Sequence, residues 1–360
     1  MPESTKLSEK STNLREVVER GVFRAMLGLP TSVQRALVGR PVVVDGQTLD
    51  TESQLMLRIQ KVAREPAVDT LPMPQARKAL LRQTKLVGGR QPIGETRDLE
   101  VPGGAGPIPA RLYIPRAQVG SARTDWPLLF FVHGGGMMYG EIDSHDPLCR
   151  VLAERADVRV LSIDYRLAPE HPYPAAVDDC WASFQWVSEN SEELGADPHR
   201  IAVGGDSAGG YLSAVTAILA AEAGVPVRYQ LLIYPVTNMA DKSVSRDLFG
   251  EGFLLTEAFM DLAEASYLSA AHDRRDPRVS IHYTEKIHAN LAPAFVATAG
   301  FDPLRDEGEA YARLLSESGA RVELKRYPGL VHGFACFVGV GRSSRAAVAE
   351  MAAKLKGAMH

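Results

Sequence analysis

The sequence predicts an α/β protein, a mostly parallel sheet covered by helices on both faces. Two observations carry that expectation. From about residue 96, short apolar runs alternate with helical patterns, as they do when parallel strands are buried on both sides. The 360 residues are 45% hydrophobic and 23% charged. A chain of that size and balance buries a sizeable core without staples and is not mainly disordered.

The first 90 or so residues read as helices and connectors with no alternating strand. Leu14, Val17, Val18, Val22, Phe23, Met26 and Leu27 recur at three- and four-residue steps, which draws one apolar helix face. A second such face follows Asp50 and Thr51, with Leu55, Leu57, Ile59 and Val62. These faces are read as packing against a neighbouring domain rather than lying on a membrane, because the opposite face is mixed in charge. Thr96 to Val101 and Ala110 to Ile114 are strand-like, and the Pro-Gly-rich stretch 102–107 between them signals a hairpin. Buried-strand runs follow at Leu128 to Val132, Arg159 to Tyr165, Ile201 to Gly205, Tyr229 to Tyr234, Ala294 to Ala299 and Val322 to Arg326. Helical patterns fall near 146–156, 174–193, 208–222, 303–318 and 343–356. The stretch 240–290 breaks the alternation. It is charge-rich and helical only from Glu257 to Ala270, and reads as an excursion from the sheet.

Net charge is −4, which provides no basic field for a nucleic-acid backbone. Cys149, Cys180 and Cys336 are too few and scattered for a disulfide framework. They are expected to be buried or idle thiols of a reducing compartment. The amino-terminal residues hold no apolar stretch of signal-peptide length, and nowhere do 18 apolar residues run together. A cytoplasmic protein without stable membrane association is the expectation.

The strongest chemical signal is Gly205-Asp206-Ser207-Ala208-Gly209, between a strand and a helix expected to begin near Gly210. This is G-x-S-x-G in the strand–turn–helix setting it requires. Side chains at positions 205 or 209 are expected to strike neighbouring backbone on so sharp a turn. The place also sets Ser207 near a helix N-terminus, which favours developing negative charge. The second signal is His133-Gly134-Gly135-Gly136, directly after the strand Leu128 to Val132. Three bare glycines leave backbone N–H groups open to a carbonyl oxygen. The patterns of a phosphate cradle, by contrast, are missing from the sequence.

A serine hydroxyl needs a base. Of nine histidines, His332 follows the last strand in a glycine-flanked loop. His133 is expected to support the glycine turn. His145, His199, His272, His282 and His288 lie in polar stretches and are expected to be solvated or locally bonded; His171 and His360 sit in a proline-rich loop and at the end. No spacing suits a metal. Asp302, just past the strand Ala294 to Ala299, is preferred as the acid over Asp306 and Glu307. Those two read as negative charge in a helical first turn. The chain order Ser207, Asp302, His332 is that of α/β-hydrolases.

These blocks resemble the hormone-sensitive-lipase-like, bacterial family IV branch of the α/β-hydrolase carboxylesterases. The likeness runs over roughly residues 95–340 and includes Asp164-Tyr165-Arg166-Leu167-Ala168-Pro169-Glu170-His171-Pro172, Tyr234-Pro235, Asp302-Pro303-Leu304-Arg305-Asp306-Glu307 and His332-Gly333-Phe334. The resemblance implies an α/β-hydrolase fold with an eight-stranded, mostly parallel sheet and a helical cap. Residues 1–94 and 240–290 would supply the cap, and 95–360 the catalytic domain. It implies Ser207 as nucleophile, His332 as base, Asp302 as acid, and N–H groups of Gly134, Gly135 and Ala208 as the oxyanion hole. Met137, Met138, Tyr139 and Phe334 are the expected pocket residues. Relatives often carry an aromatic residue where this chain has Met137-Met138, and flexible thioethers soften such a wall. The segment Arg166 to Ala176 is read as support beneath the glycine turn. The expected activity is hydrolysis of short- to medium-chain carboxylic esters through an acyl-enzyme, with no metal or organic cofactor. The resemblance also allows a homodimer. Alternatives left open are an aryl amide or carbamate hydrolase, a lipase with the same triad, and a non-catalytic small-molecule receptor.

Overall fold

The computed structural model describes residues 21–63 and 66–360. Of the first expected helix face, Leu14, Val17 and Val18 lie outside the described residues. Residues 21–27 are helical, with Leu27 buried and Val22 exposed. Helices α1 (Thr31–Val38), α2 (Thr51–Ala63) and α3 (Met73–Gly88) follow. One expectation is corrected here. Strands β1 (Val43–Val44) and β2 (Gln47–Thr48) pair antiparallel where the sequence reading saw only connectors. Two residues per strand show no alternation. The signal was the Asp45-Gly46 dipeptide, whose positive φ values of 52° and 70° make the turn that matches strand twist.

Strands β3 (Glu95–Gly103), β4 (Gly106–Ile114), β5 (Trp126–Val132), β6 (Arg159–Ile163), β7 (Ala196–Asp206), β8 (Tyr229–Ile233), β9 (Ala294–Phe301) and β10 (Val322–Val331) form one sheet. Its order is β10-β9-β8-β7-β5-β6-β4-β3. The β3/β4 and β4/β6 pairs are antiparallel and the others parallel, as expected. Both faces are buried. Leu128, Phe130 and Val132 of β5 point into one core, while Leu129 and Phe131 between them point into the other, the period of two that a pleated strand imposes. Each such side chain contributes about 1.5–3 kcal/mol on burial.

Helices α4 (Ile142–Ala156), α5 (Ala175–Glu189), α6 (Ala208–Ala223), α9 (Arg305–Glu317) and α10 (Arg342–Met359) cover the faces. Phe184 of α5 and Tyr311 of α9 share the first core. Leu152 of α4 and Val348 of α10 share the second. Helix α4 starts earlier than its periodicity suggested. A capping box of Glu141 and Ser144 closes its first turn, and Ile142 N–H donates to Asp164 Oδ1 at 2.6 Å.

The excursion 240–290 carries α7 (Val244–Phe249) and α8 (Glu257–Tyr267) and no strand. Its Phe249 packs with Leu49 and Met56 of the amino-terminal segment and with Phe301 and Val331 at the ends of β9 and β10. Glu52 of α2 also pairs with Arg342. The first segment and the excursion therefore meet where β9 and β10 end. No helix among the described residues is long and apolar enough to cross a membrane.

Candidate active site

The loops that carry the expected catalytic side chains leave the carboxyl ends of four strands: β5, β7, β9 and β10. In open α/β sheets that edge is where ligands bind.

Ser207 sits between β7 and α6 with φ 55° and ψ −120°, a conformation that costs a non-glycine residue of order 1–3 kcal/mol. The turn survives because its neighbours leave no alternative. A Cβ at position 205 would lie 2.3 Å from Val132 O, and one at 209 would lie 2.0 Å from the same oxygen, so both expected collisions are present. Ser207 N–H donates to Ile233 O at 2.8 Å. Helix α6 begins at Ala208, where its helical pattern does.

His332 Nε2 lies 3.0 Å from Ser207 Oγ, and its Nδ1 lies 2.8 Å from Asp302 Oδ2. A carboxylate can only accept, so Nδ1 carries the proton and Nε2 is left to accept the serine O–H. Asp302 is fully buried, and Leu304 N–H donates to its Oδ1 at 2.8 Å. The Tyr234 ring backs the imidazole at 4.7 Å between centroids. Asp306 is turned elsewhere: it accepts from Ser245 N–H and pairs with Arg305.

The glycine loop corrects one expectation. Gly134 N–H donates to Asp206 Oδ1 at 2.9 Å and is therefore not open to a substrate oxygen. The N–H groups of Gly135, Gly136 and Ala208 have no acceptor among the described residues. Gly135 has φ 118° and Gly136 φ 63°, left-handed values that suit glycine. A Cβ at 135 would lie 2.2 Å from Tyr139 O. The loop is held from below, as the reading of Arg166 to Ala176 anticipated. Ala168 N–H donates to Met137 O. Tyr165 O–H donates to His133 O at 2.9 Å, and its ring stacks on His133 at 4.3 Å. Burial, reinforced by the neighbouring His145 charge, pushes the His133 imidazole down to about 3, so it supports the turn as a neutral ring.

The expected pocket residues are all buried: Met137, Met138, Tyr139 and Phe334. Phe334 lies against Tyr234 and Tyr327 at 5.1 and 5.2 Å, within the second core. The excursion approaches the loop instead. A Cβ at Gly136 would come within 3.0 Å of Ala263 Cβ and 3.1 Å of Phe259 Cε1, both on α8.

Two groups escaped the sequence reading. His145 has the local bond expected of it, to Ser144 Oγ, but it is also buried, and its Nε2 lies 3.2 Å from Asp206 Oδ1. Burial alone would lower the His145 pKa, but the Asp206 charge and hydrogen bond raise it well above the usual imidazole range. Burial likewise opposes an ionised Asp206; His145 and the Gly134 N–H outweigh it and hold the carboxyl low. Glu307 is buried too. Its Oε1 accepts Thr237 N–H at 2.7 Å and Asn238 N–H at 3.2 Å. Burial dominates those bonds, and with the Asp302 charge it pushes the Glu307 carboxyl up to about 8. Neither residue had a local signal, because both partners lie far away in sequence.

Among the described residues, His145, Asp206 and half-buried Cys336 form a trio of donor atoms within 4.8 Å of one another. A metal does not suit them as they stand. His145 Nε2, the nitrogen that would face an ion, already bonds Asp206 Oδ1 at 3.2 Å, and the same oxygen accepts Gly134 N–H.

The family described as alpha/beta hydrolase fold matches residues 129–336, more than half of the chain. The protein belongs to that family. This α/β hydrolase is 45% identical to the carboxylic ester hydrolase LipN of Mycobacterium tuberculosis, over 94% of this chain and 91% of that one. It is 44% identical to the carboxylesterase NlhH of the same organism, over 70% and 79%. Among solved structures, it is similar to the ester hydrolase EH1AB1 from the metagenome of Lake Arreo, with a TM-score of 0.82 and 40% identity, covering 86% of this chain and 98% of that one. The hyperthermophilic esterase of Pyrobaculum calidifontis matches with a TM-score of 0.80 at 37% identity, with the same coverage. Ser207, Asp302 and His332 follow one another along the chain in the order serine, acid, histidine that α/β hydrolases commonly use.

Proposed function

We propose that this α/β hydrolase is a serine carboxylesterase that cleaves short- to medium-chain carboxylic esters through an acyl-enzyme. The observation that carries the reading is the unbroken line from Asp302 through His332 to Ser207 Oγ, at 2.8 and 3.0 Å. His332 takes the Ser207 proton as the oxygen attacks the ester carbonyl. Gly135, Gly136 and Ala208 N–H groups hold the oxyanion, Gly136 serving in place of Gly134. Each aligned donor contributes about 3 kcal/mol to the transition state. His332 then protonates the leaving alcohol, and water deprotonated by the same ring releases the acid. Asp302 stays ionised and holds the tautomer. The described part of the amino-terminal segment 1–94 and the excursion 240–290 act as a cap over the catalytic part, 95–360. The approach of Phe259 and Ala263 to Gly136 supports that placing. A protein that only binds a ligand has no use for a base 3.0 Å from a serine.

The test is hydrolysis of p-nitrophenyl esters from acetate to palmitate by wild type and Ser207→Ala. Wild type is expected to favour short and medium chains, and the variant to lose at least about a thousandfold in kcat. Preference for palmitate turns the reading to a lipase. Cleavage of aryl amides in preference to esters turns it to an amidase. Activity that survives in Ser207→Ala sinks the nucleophile assignment.

A further inference from the structure

Resting on that reading, we propose that His145 is a positioning residue for the oxyanion hole. Paired with Asp206, it fixes the bond from Gly134 N–H and so aims the Gly135 and Gly136 N–H groups at the reacting oxygen.

The need for such a brace follows from the loop itself. Residues 134–136 are all glycine, and glycine crosses between positive and negative φ at little cost. Nothing in their own chemistry keeps 118° and 63° at positions 135 and 136. A donor that wanders cannot stabilise charge, since the value of an oxyanion hole lies in dipoles already aimed before reaction. The loop must be tied from outside. The tie at its first glycine goes to Asp206 Oδ1, the residue immediately before the nucleophile. One side chain thus links the donors to the turn that carries the attacking oxygen.

Asp206 can do this only while it is ionised and still. It is buried and has few partners: Gly134 N–H at 2.9 Å, Tyr234 O–H at 3.5 Å from Oδ2 and His145 Nε2 at 3.2 Å. An isolated buried carboxylate takes up a proton or turns toward solvent. His145 supplies the opposite charge and a directed donor, and a bond to an ionised acceptor is shorter and stronger than a neutral one. His145 is in turn held at every side. Its Nδ1 meets Ser144 Oγ at 2.8 Å, its ring stacks on His133 at 5.5 Å and leans on Phe131 at 6.3 Å, and Cys336 stands beside it. Ser144 belongs to the capping box of α4. The first turn of α4 thereby fixes the carboxylate, and the carboxylate fixes the loop.

His145→Leu, His145→Gln, Asp206→Asn and the His145→Leu/Asp206→Asn double variant separate positioning from plain structure. Each is assayed for kcat and KM on p-nitrophenyl butyrate and for thermal unfolding, with Ser207→Ala alongside. The leucine variant is expected to lose about a hundredfold in kcat per folded molecule with KM within about threefold. Glutamine keeps an amide donor where Nε2 stands and is expected to regain at least about tenfold of that loss. Because His145 acts through Asp206, the double variant should fall within about threefold of the worse single one. The proposal is overturned if the folded leucine variant keeps wild-type kcat, if glutamine and leucine are equally slow, or if the two losses multiply. Should leucine prevent folding, the glutamine and asparagine variants decide alone: wild-type kcat per folded molecule in both rejects it. A Ser207→Ala enzyme that stays active would instead reject the esterase reading underneath.

Discussion

Two histidine–aspartate pairs flank the Ser207 turn, and they differ in what the second ring nitrogen meets. His332 binds Asp302 through Nδ1 and turns Nε2 to Ser207 Oγ. His145 binds Asp206 through Nε2 and turns Nδ1 back to Ser144 on its own helix. The first side chain is 11% exposed, the second 5%. On the roles proposed above, identical functional groups become a proton carrier or a brace according to whether the second nitrogen faces Ser207 Oγ or the Ser144 hydroxyl of the α4 cap. The pair itself does not decide; the free valence does.

The largest effect that could break this contrast is at the open pair. In Asp302→Asn an amide replaces the acceptor at Nδ1, the wrong tautomer becomes accessible, and kcat should fall at least about a thousandfold. Steady-state rates on p-nitrophenyl butyrate check it, and a loss under tenfold would mean that Asp302 does not orient the ring. A smaller effect belongs to the sealed side. Tyr165→Phe removes the donor to His133 O and leaves a buried carbonyl unpaired, at a cost of about 1–2 kcal/mol. Urea denaturation should register that loss while KM stays unchanged; undiminished stability would show that the ring stack alone carries the loop.

A further effect, read in stability against pH, sharpens the picture around Asp302. Glu307 keeps its proton in the folded protein up to about pH 8, whereas an unfolded glutamate releases it near 4.5. The folded state then binds more protons across that window, so this group makes stability fall as pH rises from about 4.5 to 8. Glu307→Gln retains an oxygen for Thr237 and Asn238 N–H and should flatten that decline. Melting temperatures of both proteins at pH 5 and pH 8 test it: equal slopes would show that Glu307 is ionised throughout.

Much of the framework was legible. Buried parallel strands write themselves as apolar runs, and each observed strand from β5 to β10 overlaps an expected run. Ser207 and His332 were visible because a sharp turn and a short loop after a strand carry glycines beside them, and Asp302 because it follows a strand and precedes Pro303. What stayed hidden depended on pairing across the fold. Nothing near His145 marks it as buried, since Asp143, Ser144 and Asp146 give it polar company and its partner lies at the far end of β7. The Gly134 N–H was miscounted for the same reason: a bare backbone donor looks free until the acceptor, Asp206, is brought over it. Glu307 passed as first-turn charge because helix position says nothing about which face is sealed. The hairpin of β1 and β2 was missed despite its Asp-Gly turn, as two-residue strands carry no period.

The backbone at Ser207 also limits which chemistries this scaffold could acquire. Its φ of 55° is tolerable for an unbranched side chain but a severe outlier for a β-branched one. Of the aliphatic hydroxyl and thiol side chains that can receive an acyl group, the turn admits serine and cysteine and refuses threonine. A descendant of this enzyme could drift toward thioester intermediates by one substitution, whereas the threonine route would require the strand, the turn and the helix to be rebuilt together.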